Sequence, residues 1–241
     1  MGTALAGALR AAGVPVSGPY GRGYPGAGDA VVLLCVPDDA IGAAAQVIDP
    51  AALIGHCSGA SGLDALGDRE AFSVHPLMTV TPAGADFSGV WAAVDGSTSR
   101  AVALAESMAA TVGLRPVRVA GVDRVAYHAA ASIAANYLVT VEAAAAELLA
   151  TAGLDRAMLL PLARAALENW GHFGPAALTG PVARGDRGTV AGHRAAVAER
   201  TPALLELLDA LVAATERLSV VARGAPATDA IPSAGRARPR P

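Results

Sequence analysis

Residues 29–41 read DAVVLLCVPDDAI. Val31 to Leu34 form a short, uninterrupted apolar run that passes through Cys35 and Val36 into Pro37 and two acids. Such a run, stopped by a proline and followed by helical spacing, is the pattern of a buried strand feeding a helix. Asp38 and Asp39 stand at that helix's N-terminus, where carboxylates cap exposed amides. The carboxyl end of a central strand is also where an open α/β sheet receives its ligand, so Val36, Pro37 and Asp38 are candidate ligand contacts as well. The next strand, LIGHCSG at 53–59, ends at the same edge in small residues. Ser58 and Gly59 there leave room for a ligand lying across both strand ends.

Working outward, β-type runs recur at 14–20 (VPVSGPY), 30–37, 53–59, 72–77 (FSVHPL), 90–97 (VWAAVDGS) and 115–121 (RPVRVAG). Helical segments around 3–12, 38–48 and 98–112 separate them. This alternation specifies an α/β domain with a largely parallel sheet over residues 1–120. From about 123 to 222 the periodicity is helical, so residues 121–223 read as an all-α second domain, and a ligand is expected in a cleft between the two. Residues 224–241, rich in Pro, Gly and Ala without periodicity, read as a disordered tail.

Composition narrows the chemistry. The 241 residues are 53% hydrophobic, enough for a sizeable core. The formal net charge is -3, and no basic cluster is interleaved with aromatics, so neither nucleic acid nor an anionic membrane is the expected partner. All 18 basic residues are arginine, which excludes Schiff-base chemistry and a lysine general acid. Cys35 and Cys57 lack metal-ligand spacing and read as reduced thiols of a cytoplasmic protein, with no metal expected. The start lacks the charged and apolar regions of a signal peptide. The apolar stretch 125–150 is interrupted by His128, Asn136, Glu142 and Glu147, which suits a helix inside a protein rather than in lipid.

The first 13 residues, MGTALAGALRAAG, read as a helix closed by Gly13. Gly2 at its head fits the third glycine of a strand, Gly-x-Gly-x-x-Gly, helix unit, where it lets helix and strand pack closely. On that reading the amides near Gly2 and Thr3 face a pyrophosphate. The first strand and first two glycines are then expected upstream, encoded in frame before Met1.

Five ordered motifs carry a resemblance over nearly the whole chain: VLLCVPDDAI (32–41), IGHCSGASGLDAL (54–66), FSVHPLMTV (72–80), YHAAASIAANYLV (127–139) and LTGPVARGD (178–186). Together they resemble bacterial proteins with a Rossmann-like domain, here N-terminally truncated, followed by a DUF2520 helical domain. Those proteins are relatives of the 6-phosphogluconate dehydrogenase, pyrroline-carboxylate reductase and ketopantoate reductase group. The resemblance implies an NADP-dependent reductase of a small carbonyl acid such as ketopantoate. A non-catalytic dinucleotide-binding sensor or scaffold is the alternative. The long alanine- and leucine-rich helices of 123–222 exceed what a small sheet domain can cover, so a homodimer through the helical domain is expected in both cases.

Residue roles follow with their plainer alternatives. The segment GPYGRGYPGAG (18–28) offers Arg22 and no acid, which favours the 2′-phosphate of NADP over NAD, unless Arg22 is a solvated loop charge. Related hydroxyacid dehydrogenases protonate the carbonyl with a helix-borne lysine. In its place His128, Ser132 and Asn136, at i, i+4 and i+8, share a helix face, with His128 as acid and Asn136 orienting the substrate. The alternative is a buried histidine bonded to backbone. His75 either faces the nicotinamide or bonds the turn at Pro76. Thr179 and Arg184 either hold a substrate carboxylate or form an interhelical turn with an Arg184–Asp186 ion pair. His56, Cys57 and Ser58 form no triad, because neighbours on a strand point to opposite faces.

Overall fold

The computed structural model describes residues 1–81 and 84–224. They form two compact units that meet in sequence at Tyr137 and Leu138. Helical periodicity begins earlier, near 121, because the first long helix after the sheet belongs to the sheet unit. The tail expected at 224–241 lies, beyond Gly224, outside the described residues.

In the first unit, α1 (Gly2–Ala11) precedes β1 (Val31–Leu34), α2 (Ile41–Gln46), β2 (Leu53–His56), β3 (Ala71–Pro76), β4 (Trp91–Gly96), α3 (Ser99–Thr111), β5 (Arg115–Arg118) and α4 (Arg124–Ser132). The described strands make one sheet in the order β1-β2-β3-β4-β5. The β1–β2, β2–β3 and β4–β5 pairs are parallel, and β3–β4 is antiparallel. This is the largely parallel α/β sheet that the alternating runs specify.

Strand residues of opposite parity feed two cores, as the pleat requires. Leu53, Phe72 and Val74 pack with Leu5 and Leu9 of α1 and with Ala101, Ala105 and Ala109 of α3 on one face. Leu34 and Ile54 pack with Ile41 and Ala45 of α2 on the other. The i, i+4, i+8 alanines bring α3 close to the sheet, and Thr98 caps it by accepting from the Ala101 amide at 3.1 Å. Gly55 is required in β2, since a Cβ there would stand 2.5 Å from the Phe72 ring.

Two local expectations are corrected. Residues 14–20 form no strand, and β1 is the edge of the described sheet. Pro15 and Pro19 remove two of the amide donors that pairing with β1 would need. Asp38 and Asp39 do not cap by their side chains. Residues Asp38–Ala40 form a single 3-10 turn without such a bond, and the Asp38 carboxylate accepts from the Ser58 hydroxyl instead.

The second unit contains α5 (Leu138–Ala150), α6 (Leu159–Phe173), α7 (Pro181–Arg184), α8 (Arg187–Arg200) and α9 (Leu205–Gly224). Val197 is its one buried hydrophobic residue among those described, while Leu162 is 69%, Trp170 62% and Phe173 64% exposed. These helices are apolar enough for a core that the unit alone does not form. The helical run Gly121–Ala150 is long and apolar enough to cross a membrane by length and composition. Its first turns are committed elsewhere, because Arg124 is fully buried against the sheet unit.

Arg69 ties the sheet unit together. Its Nη1 donates to the carbonyls of Ala45 and Ile48, and its Nη2 to those of Asp49 and Ala52. One guanidinium therefore closes the connection between α2 and β2. Arg69→Ala is expected to cost about 2–3 kcal/mol, the range for bonds from a charged donor whose acceptors are left unmet. Urea unfolding followed by circular dichroism measures it.

Candidate functional site

The site is built where β2 and β3 end and α4 begins. Beyond β2 the chain turns through Ser58 and Gly59, and the turn is held by side chains. The Ser58 hydroxyl donates to Asp38 Oδ2 at 2.7 Å and accepts from the amides of Ala60 and Ser61 at 3.2 and 2.9 Å. His56 accepts from the Ser58 amide at Nδ1 (3.2 Å), which leaves Nε2 to donate to the Gly62 carbonyl (3.1 Å). Those bonds define a neutral tautomer, and burial holds the His56 pKa below the usual histidine value.

Arg124 fastens α4 to this turn. Its Nη1 donates to the Ser58 carbonyl at 3.1 Å, and its Nη2 donates to the Ser73 hydroxyl of β3. Tyr127 and His128 follow at helix spacings of three and four, on the face that Arg124 presses against the sheet unit. The Tyr127 hydroxyl lies 3.0 Å from His75 Nδ1. Burial raises the Tyr127 pKa, so the phenol keeps its proton. The His75 and His128 rings meet edge to face, with centroids 6.0 Å apart.

Gly59 fits between them. A Cβ there would stand 2.7 Å from His128 Cδ2 and 2.8 Å from His75 Cε1 and Nε2, so any side chain would displace both imidazoles. The loop beyond Gly59 borders a cavity of about 550 Å³ lined by Ser61, Asp64, Asp95, Gly121 and Val125, among others.

The structure thus brings together Asp38, Ser58, Gly59, His75 and His128, five residues that the sequence proposed separately. Val36 and Pro37 lie just past β1 at the same edge. Gly2 opens α1, where a Cβ would stand 3.1 Å from Cys35 Cβ. Cys35 follows the end of β1, and Thr3 beside Gly2 is exposed. Arg22 is exposed in the loop before β1. Ser132 closes α4 half-buried, and Asn136 falls in a π-helical turn, Ile133–Tyr137, that breaks the i+4 repeat assumed for it. Thr179 and Arg184 flank the start and end of α7, both exposed in the helical unit. No Arg184–Asp186 bridge forms among the described residues. Asp186 instead caps α8 by accepting from the Thr189 amide and hydroxyl.

Sequence reasoning missed Arg124, Tyr127 and the structural role of His56. The signal for the first two was present, since Arg124, Tyr127 and His128 share one helical face. Among the described residues no cluster of His, Cys, Asp and Glu has the arrangement of a metal site.

Burial, the neighbouring His128 and the Arg124 charge together pull the His75 pKa from 6.5 to about 4. Between those values the unfolded chain binds more protons than the folded one, so stability is expected to rise with pH across this window and to be lost as pH falls through it. His75→Gln should flatten that rise, with His56 keeping a remainder. Urea unfolding at pH 4.5, 5.5 and 7 reads the slope.

Similar folds are found in a protein from Bacteroides fragilis described as a candidate NADP oxidoreductase (TM-score 0.70, 21% identity, 78% of this chain and 75% of that one). Another is a protein from Thermotoga maritima (0.68, 24%, 79% and 78%). A third is a Plasmodium falciparum pyrroline carboxylate reductase solved with NADP bound (0.57, 13%, 91% and 94%). At these identities the likeness shows the fold, a Rossmann-like sheet with a helical C-terminal region. A search of curated proteins returned no match. The profile of a domain of unknown function, DUF2520, matches residues 90–215, from β4 into α9. With more than half of its length inside that profile, the chain belongs to the DUF2520 family.

Proposed function

We propose that the protein is an NADP-dependent reductase of a small carbonyl acid, with ketopantoate as the first substrate to test. The observation that carries this reading is the meeting of His128 and His75 across Gly59 at the carboxyl edge of the sheet, where open α/β folds bind ligands. The neighbours support it, since one holds NADP and an Aspergillus terreus reductive aminase of similar fold was solved with NADPH and ethyl levulinate.

The residues present fit a dinucleotide. The first turn of α1 has no side-chain cap and no acid, so its amides are free of competition for a pyrophosphate. Gly2 and Thr3 would hold that group, Val36, Pro37, Asp38, Ser58 and Gly59 would line the rest, and Arg22 would meet the 2′-phosphate. When bound, NADPH supplies a hydride to the carbonyl carbon.

The protein's own groups do the remainder. His128 gives a proton to the carbonyl oxygen as negative charge develops there, and it is the general acid in the absence of any lysine. His75, neutral and bonded to Tyr127 at Nδ1, keeps Nε2 beside Gly59 and fixes the partner ring. Asn136 and Ser132 orient the substrate.

Under this reading the protein works in the cytoplasm as a homodimer. The helical unit supports that assembly, because apolar faces as exposed as those of α6 require a cover. Light scattering at micromolar concentration is expected to give twice the chain mass, and a monomer would contradict the dimer. His128→Gln should lower turnover of NADPH with the carbonyl acid by about 10²–10⁴-fold while leaving the melting temperature and NADPH affinity in place. Loss of folding without that separation would make His128 structural. Failure of the intact protein to oxidise NADPH with any carbonyl acid in a broad screen would leave the dinucleotide sensor or scaffold.

A further inference from the structure

Cys35 and Cys57 continue the β1–β2 register by one pair. Val31 faces Leu53 and Leu34 faces His56, an offset of 22 residues, and Cys57 stands 22 residues after Cys35. The Cys57 amide donates to the Leu34 carbonyl at 3.1 Å, so the ladder extends to this point. Paired positions on parallel neighbours project from the same face, and the two Sγ atoms are 3.5 Å apart. Both cysteines are reduced, and Cys35 is exposed.

We propose that Cys35 and Cys57 form a redox-active dithiol, a modification site that hydrogen peroxide closes to an intramolecular disulfide. The strand spacing of about 4.8 Å lies within the Cα separations that disulfides accept, so closure needs side-chain rotation rather than backbone movement. The thiols are not equivalent. Cys35 is exposed while Cys57 is half-buried, so a peroxide reaches Cys35 first, and the contact between the two sulfurs lowers the Cys35 pKa and raises that of Cys57. Cys35 is therefore the attacking thiolate and Cys57 the resolving thiol.

The Cys35 sulfur attacks one peroxide oxygen, the O–O bond breaks, and the departing hydroxide takes a proton to leave as water. Cys35 is then a sulfenic acid. The Cys57 sulfur attacks Cys35 Sγ, the S–O bond breaks, and the hydroxide leaves as a second water with the Cys57 proton. Two thiols are oxidised by two electrons, and one peroxide is reduced to two waters. A disulfide formed in a reducing compartment is reopened by cellular thiols, which makes the mark reversible.

The inference stands apart from the reductase reading and is tested without a cofactor. Reduced protein, freed of reductant, is treated with equimolar hydrogen peroxide. Free thiols are counted, intact mass is measured, and a non-reducing gel is run. The expected result is the loss of both thiols together, a mass lower by two hydrogens with no cross-linked chain, and full return on adding dithiothreitol. Cys57→Ser should instead stop at a dimedone-reactive sulfenic acid on Cys35, while Cys35→Ser should oxidise far more slowly. Two thiols persisting after treatment would overturn the proposal. So would sulfinic acid in place of the disulfide, a cross-link between chains, or equal behaviour of the two variants.

Discussion

The buried guanidinium of Arg124 is the interaction on which the site depends. It is fully enclosed and divides its bonds between the Ser58 carbonyl after β2 and the Ser73 hydroxyl within β3. A charged donor removed from water must be met by acceptors, so helix, turn and strand are held at one spacing. Tyr127 and His128, one turn further along α4, inherit their positions from that anchor. His75 arrives from β3, and Gly59 keeps the gap open by having no side chain.

Electrostatics at the site follow from the same enclosure. Burial holds His75 and His56 towards their neutral forms, and the nearby Arg124 charge works in the same direction. His75 Nδ1 shares a hydrogen bond with the Tyr127 hydroxyl, and His56 uses both ring nitrogens to shape the turn. One histidine is thereby spent on structure and one on positioning. His128 meets His75 across the gap at Gly59.

Much of this was legible in the sequence where local physics decides the outcome. The small turn after His56 and the change from β to helical periodicity emerge as expected, since each depends on spacing and turn chemistry within a few residues. The run expected as a buried central strand into Pro37 is instead a strand only over Val31–Leu34, at the edge of the described sheet and with only Leu34 buried. The failures lie where longer-range structure intervenes. VPVSGPY has the composition of a strand, yet two prolines and the lack of a pairing partner leave it as loop. Asn136 was placed by α-helical spacing, and a π turn shifts that repeat. Arg124 was missed although it shares a helical face with Tyr127 and His128, because its burial depends on contacts with Ser58 and Ser73, far away in sequence.

The central claim is that the strand ends, the Gly59 turn and α4 form one dinucleotide-dependent site around His75 and His128. The most direct measurement is a titration of NADPH into protein labelled with ¹⁵N at histidine, following all five imidazoles by NMR. The account predicts saturable shifts at His75 and His128 with a single shared Kd, and little change at His172 and His193, which lie exposed in the helical unit. Unchanged His75 and His128 resonances up to millimolar NADPH would contradict it.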